Sequence, residues 1–413
     1  VAVPVERVRH GDRLGPHPAV RALAIAVAAA VGFGIVFAQT VTSSFSGSLR
    51  TEDVDPLITS TPDAPEPTQE GAGEPVNILL IGSDVRSGDN AAIGGATGGG
   101  MRADVTIIAH VSGDSSRVDM VSIPRDLQVE VPDCTRFDGS AVPGGYGDFN
   151  VALANGGRGG NVAEGAACVI NTIHDVFDVR IDHYAVVDFS GFVRMVDSLG
   201  GIPMCVPERI VSEDAELNLR AGPQVFDGLT ALNWARLRTA EVGDVSGSDL
   251  QRIARQQDLL ASTFRTAVSK NLFSDADQLA QFVRAGAESL TTDEKLGSLT
   301  AMASLAFRLR GLGPDDISYA TVPWEYTDGR NNVVMTDDAD ILFDDLRHDR
   351  SLSVAAQGDA TSEWGDDAGD EPASEPSAAS TVAPRSPQPE STATRTETVQ
   401  DILAECDAHA REP

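Results

Sequence analysis

The chain has 413 residues, 41% of them hydrophobic, and a formal net charge of -31. That length accommodates one large domain or two ordinary ones with a sizeable core. So acidic a balance excludes general binding to nucleic acid or to an anionic membrane surface, while leaving room for a local basic cleft. Lys270 and Lys295 are the only lysines among the basic residues, which reads as the bias of a GC-rich genome.

At the N-terminus, Arg7, Arg9, Arg13 and Arg21 precede an uncharged apolar run at 22–38, which residues 40–42 extend. A bilayer core takes about 20 residues of helix, with a lower limit near 17. Glu52, Asp53 and Asp55 follow the run. Base before the span and acid after it predict a cytoplasmic N-terminus at 1–21, a single transmembrane helix at 22–42 and an extracellular bulk anchored to the plasma membrane. The rival reading is a cleaved signal peptide, for which the apolar stretch is long. Residues 43–75 are rich in Ser, Thr, Pro and acids, the composition of a solvated extracellular linker.

A continuous folded region is expected over 76–350. Apolar runs predict strands at 76–81, 105–111, 118–123, 184–189 and 202–206. Helical spacing predicts helices at 161–176, 192–199, 229–237, 249–269, 276–288, 293–308 and 338–347. Alternation of the two argues for a layered α/β domain. The stretch 351–413 returns to Ser, Thr, Pro, Ala and acidic residues and reads as largely disordered, with a short helical pattern at 399–410. None of Cys134, Cys168, Cys205 and Cys406 forms a C-x-x-C pair, which argues against zinc. One disulfide among the first three is expected outside the cell, with its connectivity open and buried thiols as the alternative.

Five short blocks carry the chemistry: Ile81-Gly-Ser-Asp84, Arg102-Ala-Asp104-Val105, Ser122-Ile-Pro-Arg-Asp126, Trp234-Ala-Arg-Leu-Arg238 and the stretch from Asp249 to Gln257. Arginine supplies a permanent charge and a planar fork of donors suited to phosphate oxygens. Asp84, Asp104 and Arg125 sit at the ends of strand-like runs, where α/β sheets build their sites. Two aspartates without a matching His or Cys set suit a hard divalent cation on a phosphorylated substrate. Arg236 and Arg238 share a face if the chain is extended there. Asp249, Arg252 and Gln256 share one helix face with Arg255 beside it, although a plain surface helix with an ion pair has the same pattern. His110, His174 and His183 do not fall at metal spacing, and residues 94–100 lack the ending of a P-loop. No nucleophile elbow is present. Phosphoryl chemistry without a covalent intermediate is the class these residues define.

In this order the blocks resemble the LytR-CpsA-Psr family of cell-wall glycopolymer ligases, together with Asp182-His-Tyr184, Asp188-Phe-Ser-Gly-Phe192 and Leu199-Gly-Gly201. The resemblance implies a three-layer α-β-α sandwich around a mixed sheet, holding a polyprenyl pyrophosphate. It implies transfer of a glycopolymer with its phosphate from that carrier to peptidoglycan, at the 6-hydroxyl of N-acetylmuramic acid. By the same resemblance, Asp84 and Asp104 bind Mg2+ (or Mn2+). Arg102, Arg125, Arg236 and Arg238, with Asp104, act on the reacting phosphate, and Arg252, Arg255 and Gln256 hold the pyrophosphate. The arginine-rich composition points to an actinobacterial source. Asp148-Phe-Asn-Val-Ala152 replaces the family's usual run after the Pro-Arg-Asp block, and Val105 replaces a common threonine. A polyprenyl-pyrophosphate pyrophosphatase and a non-catalytic polyprenyl-glycan binding protein are the alternatives.

Overall fold

The computed structural model describes residues 49–65, 73–84, 101–243, 245, 249–270, 276–313, 316–327 and 332–353. The expected membrane span, the 94–100 segment and the tail beyond 353 lie outside them. No helix among the described residues is long and apolar enough to cross a membrane.

A mixed sheet forms the centre. Its strands are β1 (Arg50–Thr51), β2 (Val76–Ser83), β3 (Ala103–Val111), β4 (Val118–Ser122), β5 (His183–Asp188), β6 (Leu290–Thr292) and β7 (Ile317–Thr321). Among the described residues they lie in the order β1-β6-β5-β2-β3-β4-β7. The pairs β1/β6, β5/β2 and β4/β7 are parallel, and β6/β5, β2/β3 and β3/β4 are antiparallel. The helices are α1 (Val151–Gly156), α2 (Val162–Phe177), α3 (Phe189–Ser198), α4 (Gly228–Arg236), α5 (Asp249–Ser269), α6 (Ala276–Gly286), α7 (Leu299–Leu309) and α8 (Asp338–Arg347).

Alternation along the strands divides the apolar residues between two faces. Leu79 and Ile81 of β2, Ile108 of β3 and Val121 of β4 pack with Val169 and Ile173 of α2 and Phe343 of α8 in the main core. Ile78 and Ala109 pack on the other face with Leu296 and, from α7, Leu305. A second core joins Ile202, Met204 and Phe226 of an antiparallel pair to Trp234 of α4 and Leu259 of α5. Side-chain caps set the helix starts: Asn161 accepts from Ala163 and Glu164 N–H, Asp188 from Gly191, Asp227 from Thr230, and Ser298 from Ala301. The Asp188 and Ser298 caps explain two shifts from the expected ranges. The helix expected from 192 begins at Phe189, and the one expected from 293 begins at Leu299.

The folded domain also begins earlier than expected. Part of the stretch read as a solvated linker docks onto α2 instead. Val54 and Leu57 enter the main core. Asn171 accepts from Thr59 N–H at 3.0 Å and donates to the Leu57 carbonyl at 2.9 Å. His174 Nδ1 donates to the Ser60 carbonyl at 2.6 Å, and its Nε2 accepts from Ile181 N–H at 3.1 Å. Composition alone did not reveal these few apolar anchors among the prolines and acids.

Cys134 and Cys168 form a disulfide that ties the segment after Arg125 to α2. Cys205 is also disulfide-bonded. At the sheet end remote from Arg125, His110 is buried, with Nδ1 2.7 Å from Asn77 Oδ1 and Nε2 3.1 Å from Asp349 Oδ1. Arg117 donates to the same Asp349 oxygen at 2.8 Å. Asp182 is architectural: its Oδ2 accepts from Asn77 N–H at 2.9 Å.

Candidate phosphate site

The site grows from three neighbouring strand ends. Ser83 of β2 pairs with Ala103 of β3 after an irregularity at Gly82/Ser83. Asp84 and Arg102 therefore leave the sheet side by side. They are tied in both directions: Arg102 N–H donates to the Asp84 carboxylate Oδ1 at 2.7 Å, and Asp84 N–H donates to the Arg102 carbonyl at 3.2 Å. Asp104 follows on β3. On β4, Pro124 ends the ladder because it lacks an N–H, and the chain turns at Arg125.

Arg125 is held loosely by acids. Its Nη1 lies 3.5 Å from Asp104 Oδ1 and its Nε 3.2 Å from Asp126 Oδ2. Asn150 steadies the turn, with its N–H donating to the Arg125 carbonyl at 3.0 Å and its side chain donating to Asp126 Oδ1 at 3.4 Å.

Helix α5 supplies the opposite wall. Arg252 is 6% exposed and Arg255 is fully buried, so the surface-helix alternative fails for this face. The Arg255 guanidinium donates to the Leu237 carbonyl at 2.5 Å and lies 5.9 Å from the Trp234 ring centroid. Burial first, and the neighbouring Arg252 charge second, push Arg255 down to about 10. Two like charges held together in a low-dielectric wall favour an anion beside them. Gln256 Nε2 donates to the Ala235 carbonyl at 3.2 Å, fixing α5 against the end of α4.

One pocket is lined by Asp104, Thr106, Ser122, Arg125, Arg252 and Gln256, over apolar Val105, Ile107 and Ile123. Four of the residues expected from sequence thus share a cavity. Arg255 does not line it and is bonded instead to the Leu237 carbonyl just past α4. Arg236 closes α4 with its guanidinium 4.6 Å from the Phe189 ring centroid. Arg238 is exposed one residue beyond the buried Leu237, so Arg236 and Arg238 flank it on an extended turn. Arg102 is exposed at the strand end. Neither Arg102, Arg236 nor Arg238 lines the pocket itself. Sequence reasoning gave no role to Thr106, Ser122 or Asn150. Ser122 could have been found from its place in the Ser-Ile-Pro-Arg-Asp block, whereas Asn150 carried no signal beyond its place within the divergent stretch from Asp148 to Ala152.

Among the described residues no three His, Cys, Asp or Glu side chains cluster as a metal cage. Asp84 lies beside Arg102 beyond the Ser83/Ala103 pair and does not line the pocket, whereas Asp104 is at the register shift on the inner side of that pair and does. Each offers one carboxylate of the kind taken by an ion that fills its octahedron with phosphate and water.

This site sits in a mixed α/β fold that is also found among solved structures. A Streptococcus agalactiae crystal structure aligns with a TM-score of 0.53 at 18% identity, covering 68% of this chain and 90% of that one. The LytR_cpsA_psr family model matches residues 43–346. The chain therefore belongs to the LytR-CpsA-Psr family. It is 30% identical over 297 residues to a probable cell wall biosynthesis protein, LcpB, of Corynebacterium glutamicum, covering 69% of this chain and 64% of the relative. It is 27% identical over 239 residues to a polyisoprenyl-teichoic acid–peptidoglycan teichoic acid transferase, TagU, of Halalkalibacterium halodurans, covering 56% of this chain and 66% of that one. The chain thus spans less than two thirds of the length of either curated relative.

Proposed function

We propose that this chain is a phosphotransferase of cell-wall assembly. It takes a glycopolymer with its phosphate from a polyprenyl-pyrophosphate carrier and joins it to a peptidoglycan hydroxyl, that of the N-acetylmuramic acid 6-position. The observation that carries this reading is the convergence of Arg125, Arg252, Gln256 and Asp104 on one small pocket of about 10 Å³. The family relatives, one named as a teichoic acid transferase, support it.

In this mechanism the acceptor hydroxyl attacks the phosphorus next to the glycan, and polyprenyl phosphate leaves. Little covalent work falls to the protein, so positioning and charge stabilisation carry the reaction. Arg125 and Arg252 grip the diphosphate oxygens from two sides. Arg255 raises the positive potential of that wall while holding α4 in place. Arg236, Arg238 and Arg102 complete a basic rim around the phosphates. Asp84 and Asp104 would hold a divalent cation, Mg2+ or Mn2+, which would offset negative charge on the diphosphate. The domain works outside the plasma membrane, tethered by the apolar run at 22–42.

Product analysis tests this reading. A polyprenyl-diphosphate-linked oligosaccharide is incubated with the full chain, with and without peptidoglycan strands. Transfer yields a sugar–phosphate–sugar diester and polyprenyl monophosphate only when acceptor is present. Equal cleavage without acceptor identifies a pyrophosphatase, and retention without turnover identifies a binding protein.

A further inference from the structure

Beyond the phosphate pocket, the chain carries an aromatic pair for which the mechanism has no use. After β7 it forms a hairpin of β8 (Trp324–Tyr326) and β9 (Val333–Met335). Trp324 and Tyr326 are two apart on one strand and so lie on one face. Their rings meet edge to face, with centroids 5.0 Å apart and planes at 77°. Trp324 rests its inner side on the main core, whereas Tyr326 is 43% exposed. Covering the core edge accounts for Trp324 but not for the open Tyr326 ring. Aromatic residues make up only 5% of the chain, so composition does not explain two of them side by side here.

The location ties the pair to the phosphate site. Val322 N–H donates to the carbonyl of Ser122, a pocket residue, at 3.0 Å. Val333 bridges Leu127, and its N–H faces the Asp126 carbonyl at 3.4 Å. Tyr326 sits directly opposite Val333. Its backbone is therefore about 10 Å, or two strand spacings, from the chain just after Arg125.

We infer that Trp324 and Tyr326 form a saccharide platform on which a hexopyranose ring of the glycan stacks while its phosphate-bearing or hydroxyl-bearing end reaches Arg125. The exposed edge-to-face corner offers apolar ring surface to the C–H face of a pyranose and leaves the sugar hydroxyls to water. The platform rests on the transferase reading and gives it a glycan subsite. The sugar would come from either the acceptor strand or the donor polymer, and the chemistry of stacking is the same for both.

Isothermal titration of the full chain separates these cases. One arm uses a tetramer of β-1,4-linked N-acetylglucosamine as an acceptor-like probe. The other uses a neutral hexose oligomer as a donor-like probe. One of the two binds, Tyr326→Ala weakens it by about tenfold, the order of a lost aromatic contact, and Tyr326→Phe binds like the wild type. The arm that shows this pattern names the source of the sugar. The inference is overturned if neither saccharide binds, if Tyr326→Ala binds as tightly as the wild type, or if Tyr326→Phe falls as far as the alanine variant. Binding of inorganic pyrophosphate to the wild-type chain is measured in parallel. Its absence, with Tyr326-dependent saccharide binding intact, would sink the diphosphate reading and leave the platform standing.

Discussion

Replacing Arg125 by alanine separates a catalytic role from a structural one. The guanidinium is 18% exposed, and the Asp104 and Asp126 carboxylates beside it are 32% and 25% exposed. Its 3.5 Å approach to Asp104 is longer than an ordinary charge-assisted hydrogen bond. Partly solvated pairs of this kind contribute about 1 kcal/mol or less to stability. For a domain of this size that is a Tm change of roughly 2–4 °C. A preorganised donor aimed at transition-state charge is worth more, on the order of 3 kcal/mol or about a hundredfold in rate. Arg125→Ala is therefore expected to lower turnover of a lipid-linked oligosaccharide by about two orders of magnitude with a nearly unchanged melting curve. Arg125→Lys keeps the charge but not the planar fork and recovers only part of the rate. Differential scanning fluorimetry and a product assay on the same preparations read both quantities. Turnover within about threefold of wild type would refute the assignment of Arg125, as would rate loss that merely follows a collapse in Tm.

Other perturbations test the surrounding structure. His174 is pushed below its usual range by burial, the largest influence, against the raising effect of the Ser60 carbonyl. A base with a lowered folded pKa stabilises above its unfolded value of about 6.5 and loses that contribution as pH falls through the folded value. Urea denaturation should therefore show a His174→Gln deficit at pH 7.5 that narrows toward pH 5. Asp349 is opposed by burial, yet hydrogen bonds from His110 and Gly113 and the Arg117 charge hold it below the usual carboxylate range. Its stabilisation is present above about pH 3.9 and is lost as pH falls further. Asp349→Asn should cost about 3 kcal/mol at neutral pH, with the gap closing in acid. The Cys134–Cys168 bridge closes a sequence separation of 34 residues, for which chain entropy gives an upper value of about 4 kcal/mol. A Cys134→Ala/Cys168→Ala double variant should lose up to that amount in the same denaturation assay.

Much of the centre was legible because strand and helix periodicities are local. The apolar runs of β2, β3 and β4 and the spacing of α2 and α5 set their own boundaries to within a few residues. The placement of Asp84, Arg102 and Arg125 at neighbouring strand ends was legible because the apolar runs that end there were. Other features depend on contacts distant in sequence, which no local pattern encodes. Docking of residues 49–61 relies on Asn171 and His174, more than 100 positions away. The burial of Arg255 relies on the Leu237 carbonyl and Trp234. Two arginines on a helix read alike whether they face water or a neighbouring wall, and only the packing of α5 against α4 decides. The Trp324–Tyr326 pair carried no signal because aromatic residues in a short strand usually serve the core.

The central claim is that Arg125, from the end of a strand, and Arg252, from a distant helix, seat one diphosphate between them. A crystal structure of the full chain with geranyl diphosphate and Mg2+ tests it directly. The account predicts diphosphate oxygens within hydrogen-bonding distance of both guanidinium groups and the cation against Asp84 or Asp104. A diphosphate bound elsewhere, with Arg125 and Arg252 still facing an empty pocket, would contradict it.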